Sequence, residues 1–314
     1  MSQCVPRFFM SRAVHLFAIL LVVVTMTAGC RSALWRKESK SVLYGRECTR
    51  KGVIAMESGQ WPEAEKLLAQ AVKSSPEDAE ARRQYAEALW RRGEREEAIR
   101  QLAKGIECGG DYEQHARLAQ MYLETNQIDK AAQHADRAID IEPEHAAGWA
   151  VRARILDAQK LDREALVAYQ HARALAPSDR KLLWDMAQLY GRLSRTRDSL
   201  TSLQDLANTY TPGEEPQEVV YHLGLVCASL GRCSDAADYY VESLRRGPPT
   251  PDILYHLADA QYRLGNIDES QKILHQALIL NPQHEPSRTM LARLGSPVQA
   301  PTQIATRPDA PVDR

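Results

Sequence analysis

Two kinds of side chain in this sequence bring chemistry of their own: six cysteines and nine histidines. Cys4 and Cys30 fall within or at the end of an apolar N-terminal stretch, which leaves Cys48, Cys108, Cys227 and Cys233. Thiolates and imidazoles hold metals when they cluster at short, fixed spacings, and no CxxC or His/Cys cluster of that kind occurs. Cys227 and Cys233 leave two readings open: a disulfide, which requires a Cα separation of about 4.4–6.8 Å, or two separate buried thiols. His222 and His256 sit in the same tripeptide, Tyr-His-Leu, 34 residues apart. A paired metal site, polar surface and packing between repeats are the readings open for them. No GxGxxG, P-loop, GxSxG or HExxH pattern is present. The sequence thus offers no catalytic residue, no metal site and no cofactor.

Cys30 is the exception in context. Residues 1–12 carry Arg7 and Arg12 without an acid, and residues 13–29 form an almost unbroken apolar run. A basic start, an apolar run and small residues at its end are the parts of a secretory signal, and the run falls short of the ~20 residues of a comfortable membrane span. The end, Thr27-Ala28-Gly29-Cys30, resembles a bacterial lipobox, with Thr27 where Leu is usual. The resemblance implies cleavage after residue 29 and lipidation of the Cys30 thiol, with residues 30–44 as a connector. An uncleaved single-pass inner-membrane anchor and an ordinary cleaved signal are the other readings. The first two tether the chain in the bacterial cell envelope, facing the periplasm. Arg31, where Asp would signal inner-membrane retention, leans towards the outer membrane. Without residues 1–29 the chain has 38 basic against 41 acidic residues and no long like-charge run, a balance that does not favour nucleic acid.

The duplicated Tyr-His-Leu belongs to a longer pattern. Copies begin near Gly45, Ala79, Tyr112, Ala146, Arg180, Gln217 and Pro251, which sets repeats at 45–78, 79–111, 112–145, 146–179, 180–216, 217–250 and 251–284. In each copy apolar residues recur at three- and four-residue steps on both sides of a polar or glycine fifteenth position: Gly59, Gly93, Asn126, Lys160, Ser194, Gly231 and Gly265. That pattern predicts two antiparallel amphipathic helices per copy. The eighth position is always Gly or Ala and the twentieth Ala or Ser, as two closely crossing helices require. The fifth copy departs most, with Ser199, Leu206, Thr211 and three extra residues before Gln217. A weak seam is therefore expected near residues 206–218. Residues 285–295 read as a capping helix, since a terminal repeat needs its outer face covered. Residues 296–314, with four prolines, read as a disordered tail.

These residues resemble the tetratricopeptide repeat family. The fourth copy carries Trp149, Ala153, Leu156, Ala165, Tyr169, Ala172 and Pro177 at the family's positions, and the sixth carries Leu223, Gly224, Ala236, Tyr240 and Pro248. The resemblance implies an all-α, right-handed α-solenoid of seven tandem helix-turn-helix units with a C-terminal capping helix. It also implies a concave face built from positions 2, 5, 9, 12 and 13 of each first helix. Carried across, those positions are Arg83, Trp90, Arg91, Leu123, Arg154, Trp184, Tyr221, Tyr255, Tyr262 and Arg263. Trp, Tyr and Arg dominate binding hot spots because each joins a large contact area to a polar tip; packing against the next repeat is the competing use of the same positions. The Lys and Asn clamp of the family's chaperone-binding branch is absent.

The expectation is a non-catalytic scaffold at the cell envelope that binds partner proteins or peptides in its groove, in assembly of a pilus, secretion or outer-membrane machine. No nucleic acid and no small-molecule substrate are expected. The alternative is a regulatory or ligand-binding lipoprotein that modulates a cell-wall enzyme. The anchor is tested at one atom: Cys30→Ala should abolish lipid attachment, read as a mass shift, and release the chain or trap its precursor. Unchanged mass and membrane retention would favour the uncleaved anchor.

Overall fold

A computed structural model describes residues 40–295. The signal, Cys30, residues 31–39 of the connector and the tail at 296–314 lie outside the described residues. The described chain is all-α, fifteen helices in sequence. The first helices of successive copies are α1 (Lys40–Glu57), α3 (Ala79–Arg92), α5 (Tyr112–Glu124), α7 (Ala146–Ala158), α9 (Arg180–Arg192), α11 (Gln217–Ser229) and α13 (Pro251–Arg263). The second helices are α2 (Trp61–Ser74), α4 (Arg95–Glu107), α6 (Ile128–Ile141), α8 (Asp162–Leu175), α10 (Thr196–Ala207), α12 (Cys233–Arg246) and α14 (Ile267–Leu280), and α15 (Glu285–Arg293) follows. No described helix is long and apolar enough to cross a membrane.

The helix ends follow from local chemistry. Five first helices are capped by a side chain that accepts from a backbone N–H: Asp78, Asp111, His145, Asp179 and Thr250, each satisfying a donor the helix cannot. The turn inside every copy requires one left-handed residue, and the fifteenth position supplies it, with φ from +56° at Ser194 to +89° at Gly93. Glycine takes that conformation without strain; Asn126, Lys160 and Ser194 take it at some cost. α1 starts at Lys40, five residues before the expected boundary at Gly45. Its extra turn is held to α2 by hydrogen bonds from the Ser41 hydroxyl to the Ser74 carbonyl and from the Tyr44 hydroxyl to Gln70 Oε1.

The chain forms two compact units that meet at Gly110 and Asp111. The first, α1 to α4, has small cores around Leu68 and around Cys48, Ala71 and Ala81. In the second, α5 to α15, one core centres on Tyr169, Met186 and Leu189, and a larger one runs from Leu183 through Tyr240 to Leu291. In both units the eighth and twentieth positions are buried in every copy. Where the twentieth residue is serine, its hydroxyl donates to the carbonyl of the eighth: Ser199 to Ala187 at 2.9 Å and Ser270 to Ala258 at 2.8 Å. Serine thus serves as alanine there, because its polar atom is satisfied within the same crossing. The four described cysteines are free thiols, so Cys227 and Cys233 are unbridged.

At the expected seam Leu206, in place of a small residue, is buried in the large core. The longer loop is nevertheless pinned from two sides. Arg180 donates to the Thr209 hydroxyl and carbonyl at 3.0 and 2.7 Å and stacks on the Tyr210 ring. Arg246, largely buried, pairs with Glu215 at 2.8 Å.

Two glycines separate packing from propensity. A Cβ on Gly224 would lie 2.5 Å from the ring of Tyr240, which is fully buried, whereas one on Gly191 would meet nothing within 4 Å. Gly224→Ala should therefore cost about 1–3 kcal/mol through overpacking, and Gly191→Ala should gain about 0.5–1 kcal/mol through helix propensity. Urea denaturation of both variants checks the pair; equal shifts of one sign would contradict this packing of α11 on α12.

Candidate functional site

The ten residues carried to the first-helix face divide by unit and by what they touch. Arg83, Trp90 and Arg91 stand on α3 in the first unit. Arg83 holds Glu80 through two hydrogen bonds of 2.7 Å. Trp90 is half-buried beneath the Arg95 guanidinium, 5.4 Å from the ring centroid. Arg91 is exposed, 3.7 Å from Glu87 and over the Trp61 ring at 6.0 Å from its centroid.

In the second unit, Leu123 is half-buried on α5. Arg154 on α7 is committed elsewhere: its Nε donates to Asp185 of α9 at 2.7 Å, with the arginine side chain 15% exposed. This pair joins two copies, so Arg154 is first a strut between repeats. The neighbouring Lys181 ammonium is held below its ordinary pKa, chiefly by burial and then by Arg154.

Trp184, Tyr221 and Tyr255 all pack on the large core while keeping an exposed edge. Trp184 of α9 reaches α11, its ring meeting His222 edge-on at 4.8 Å. Tyr221 lies 5.5 Å from His222 and 5.9 Å from both Tyr240 and His256. Burial, with Asp252 adding, pushes its phenol up to about 12, so it remains a proton donor near neutrality. Tyr255 contacts His256 at 5.1 Å and His284 at 6.0 Å. These aromatics therefore hold copies together as well as presenting a surface. His222 and His256 are part of that packing between repeats, and no group of three or more His, Cys, Asp or Glu among the described residues is placed to hold a metal.

Tyr262 is different, since it is 46% exposed. With Tyr255 and Asp259 it forms one wall of a groove of about 420 Å³ whose other wall is α15, through Glu285, Pro286, Thr289, Met290, Arg293 and Leu294. Arg263 flanks it, paired with Asp259 at 2.8 Å. The geometry suits an extended segment, with two phenol rings two turns apart on one face of α13 and one acid and one base on the opposite wall. Of the ten sequence-derived residues, Tyr255 and Tyr262 line it. The α15 residues escaped sequence reasoning because that helix was read only as a cap.

The first unit holds a larger hollow, about 930 Å³, between the starts of α1 and α3, lined by Val42, Arg46, Thr49, Ser75, Pro76 and Cys108 among others. The buried Ser75 hydroxyl on its wall has no hydrogen-bond partner. No pattern in the sequence marked it. In α5 and α6 His115 and His134 share a hydrogen bond, Nδ1 to Nδ1 at 3.0 Å, and burial makes both harder to protonate.

Family models of the tetratricopeptide repeat match residues 55–118 and 228–294, 185–251, and 115–145. A TPR repeat-containing protein of Pseudomonas aeruginosa is 25% identical over 172 residues, 54% of this chain. The matching region spans only 28% of that relative's length. Among solved structures, PilF of Pseudomonas aeruginosa superposes with a TM-score of 0.59 at 16% identity, covering 69% of this chain and 98% of PilF. YrrB, described as a TPR protein with an unusual peptide-binding site, gives 0.55 at 16%, covering 60% of this chain and 96% of its own. A tetratricopeptide repeat protein of Parabacteroides merdae gives 0.53 at 13%, covering 81% and 100%.

The two roles of the aromatics predict different losses. Trp184→Ala removes the ring that bridges α9 and α11 and should cost about 2 kcal/mol or more. Tyr262→Ala, at an exposed position, should stay within about 0.5 kcal/mol. Thermal or urea unfolding decides; a stable Trp184→Ala protein would return that residue to the free surface.

Proposed function

Because this chain belongs to the tetratricopeptide repeat family, we propose that it is a non-catalytic protein-interaction scaffold of the bacterial cell envelope, receiving an extended partner segment between α13 and α15. The family supplies the scaffold. The observation that carries the site is the groove itself, where Tyr255 and Tyr262 face Met290, Leu294 and Arg293 across about 420 Å³. The phenol rings offer apolar faces and polar tips, and Arg293 and Glu285 can fix the direction of a bound backbone or its charges. YrrB, similar in fold, is itself described as having a peptide-binding site, which supports the reading without placing the site here.

The envelope location rests on the N-terminal sequence, Arg7 and Arg12 before the apolar run and Cys30 after it. Lipidation there would tether the repeats to a membrane and leave their helical faces free for partners, the arrangement needed for work on an assembling pilus, secretion or outer-membrane machine. A second reading has an observation of its own. The hollow of the first unit lies within the ~300–1,000 Å³ usual for small ligands, and it would serve a ligand-responsive regulator of a cell-wall enzyme.

Partner identity is the deciding measurement. Capture from envelope extracts with the full chain, identification of the bound protein, and titration of peptides from it would locate the segment recognised. Tyr262→Ala should then weaken that peptide about tenfold, the effect of losing about 1.4 kcal/mol, with folding intact. Undiminished affinity in Tyr262→Ala and in Arg293→Ala would move the interaction to another face.

A further inference from the structure

The aromatic contacts of the last repeats are threaded by histidines in a regular order. Trp184 of α9 meets His222 of α11, and Tyr221 beside it meets His256 of α13 at 5.9 Å. Tyr255 next to His256 meets His284 in the turn before α15 at 6.0 Å. Each histidine thus touches an aromatic ring carried by the preceding first helix. His256 is the most enclosed by rings: Tyr221 of α11, Tyr240 of α12, stacked on it at 5.9 Å, and Tyr255 of its own helix at 5.1 Å. Three helices therefore converge on one imidazole.

We propose that His256 is an acid-sensitive pin: neutral, it locks α11, α12 and α13 together, and protonated, it releases the seventh repeat and α15 from the sixth. Opening there would loosen the groove between α13 and α15. That consequence rests on the groove being a partner site, whereas the pin does not.

Burial of the ring, the largest influence, sets the direction, and the surrounding charges act on it with mixed sign. Asp252 and Asp259, one turn to either side on α13, favour the imidazolium, and His284 opposes it. The α11 and α12 walls contribute Tyr221 and Tyr240, whose phenols burial keeps protonated and neutral. Burial of the ring is the largest influence, and His256 is harder to protonate than an ordinary imidazole. Asp252 is also engaged by His284, whose Nε2 lies 3.1 Å from its carboxylate. A group with a lowered folded pKa contributes stability that is whole above the ordinary imidazole value of about 6.5 and is lost as pH falls through the folded value. Acid therefore acts against this junction.

The test is hydrogen exchange on the full chain at pH 7.5 and pH 5.0, corrected for intrinsic rates and resolved by segment. Amides of α13 to α15 should open several-fold more at pH 5.0. Those of α9 and α10, a stretch without histidine, should change little. His256→Phe keeps a ring among the tyrosines and cannot be protonated, so it should abolish the difference. An NMR titration of the His256 ring in the unmodified protein gives its protonation directly, should the variant fold poorly. Exchange in α13 to α15 that is indifferent to acid or slowed by it would overturn the proposal, as would an equal acid response in His256→Phe or an ordinary titration of the ring. No partner enters the readout, so its failure is distinct from failure of the groove reading.

Discussion

Everything in this molecule depends on one steric condition, the close crossing of the two helices of each copy at their eighth and twentieth positions. Neither helix can carry bulk there, and all fourteen residues are Gly, Ala or Ser and buried. The crossing decides which large side chains are then accommodated. Gly224 is the clearest case, since the Tyr240 ring occupies the space its Cβ would need. Leu68 does the same against Gly52 in the first copy. Large residues at the twenty-fourth position, such as Leu102, Tyr169 and Leu274, are consequently buried to 1% or less, and the hydrophobic gain is concentrated where the helices come closest.

A helical hairpin closed in this way still has an uncovered flank, and within each unit the next copy covers it. Polar side chains tie the joints. Arg154 to Asp185 and Arg173 to Asp205 each link one copy to the next, and Arg180 and Arg246 hold the longer loop of the fifth copy. The aromatic residues of the first helices do similar work from the other side. Trp184 of α9 meets His222 of α11, so a side chain suited to binding is used in packing one copy on the next.

This double use explains the form of the candidate site. In the second unit a face made of repeated positions does not present every aromatic equally, because Trp184 and Tyr221 meet the copy that follows. Only at the end of the series does the demand fall. α15 has no second helix after it among the described residues, so Tyr262 keeps nearly half its surface and a groove remains between α13 and α15. The same packing that consumes aromatic surface within the second unit leaves a groove open at its edge.

The sequence by itself determined the number of copies, the helix pairs, the turn at each fifteenth position and the small residues of the crossing. These are set within about 34 residues by periodicity, left-handed turn geometry and side-chain volume, all of which can be read along the chain. It also marked Tyr255 and Tyr262 as residues of an exposed face. Only the tertiary structure decided which marked residues were free. Arg154 has the chemistry of a ligand-binding cation, but Asp185, 31 residues on, holds it, and Trp184, on the same set of positions, meets His222 of the next copy. The early start of α1, the unbridged thiols, the wall supplied by α15 and the contacts of His222, His256 and His284 with rings of the preceding first helices were likewise settled by packing. The physical reason is the same for each: a local pattern fixes a helix and its apolar stripe, while the partner of a polar or aromatic group is fixed by the distance and tilt of the neighbouring copy, and no single repeat encodes either.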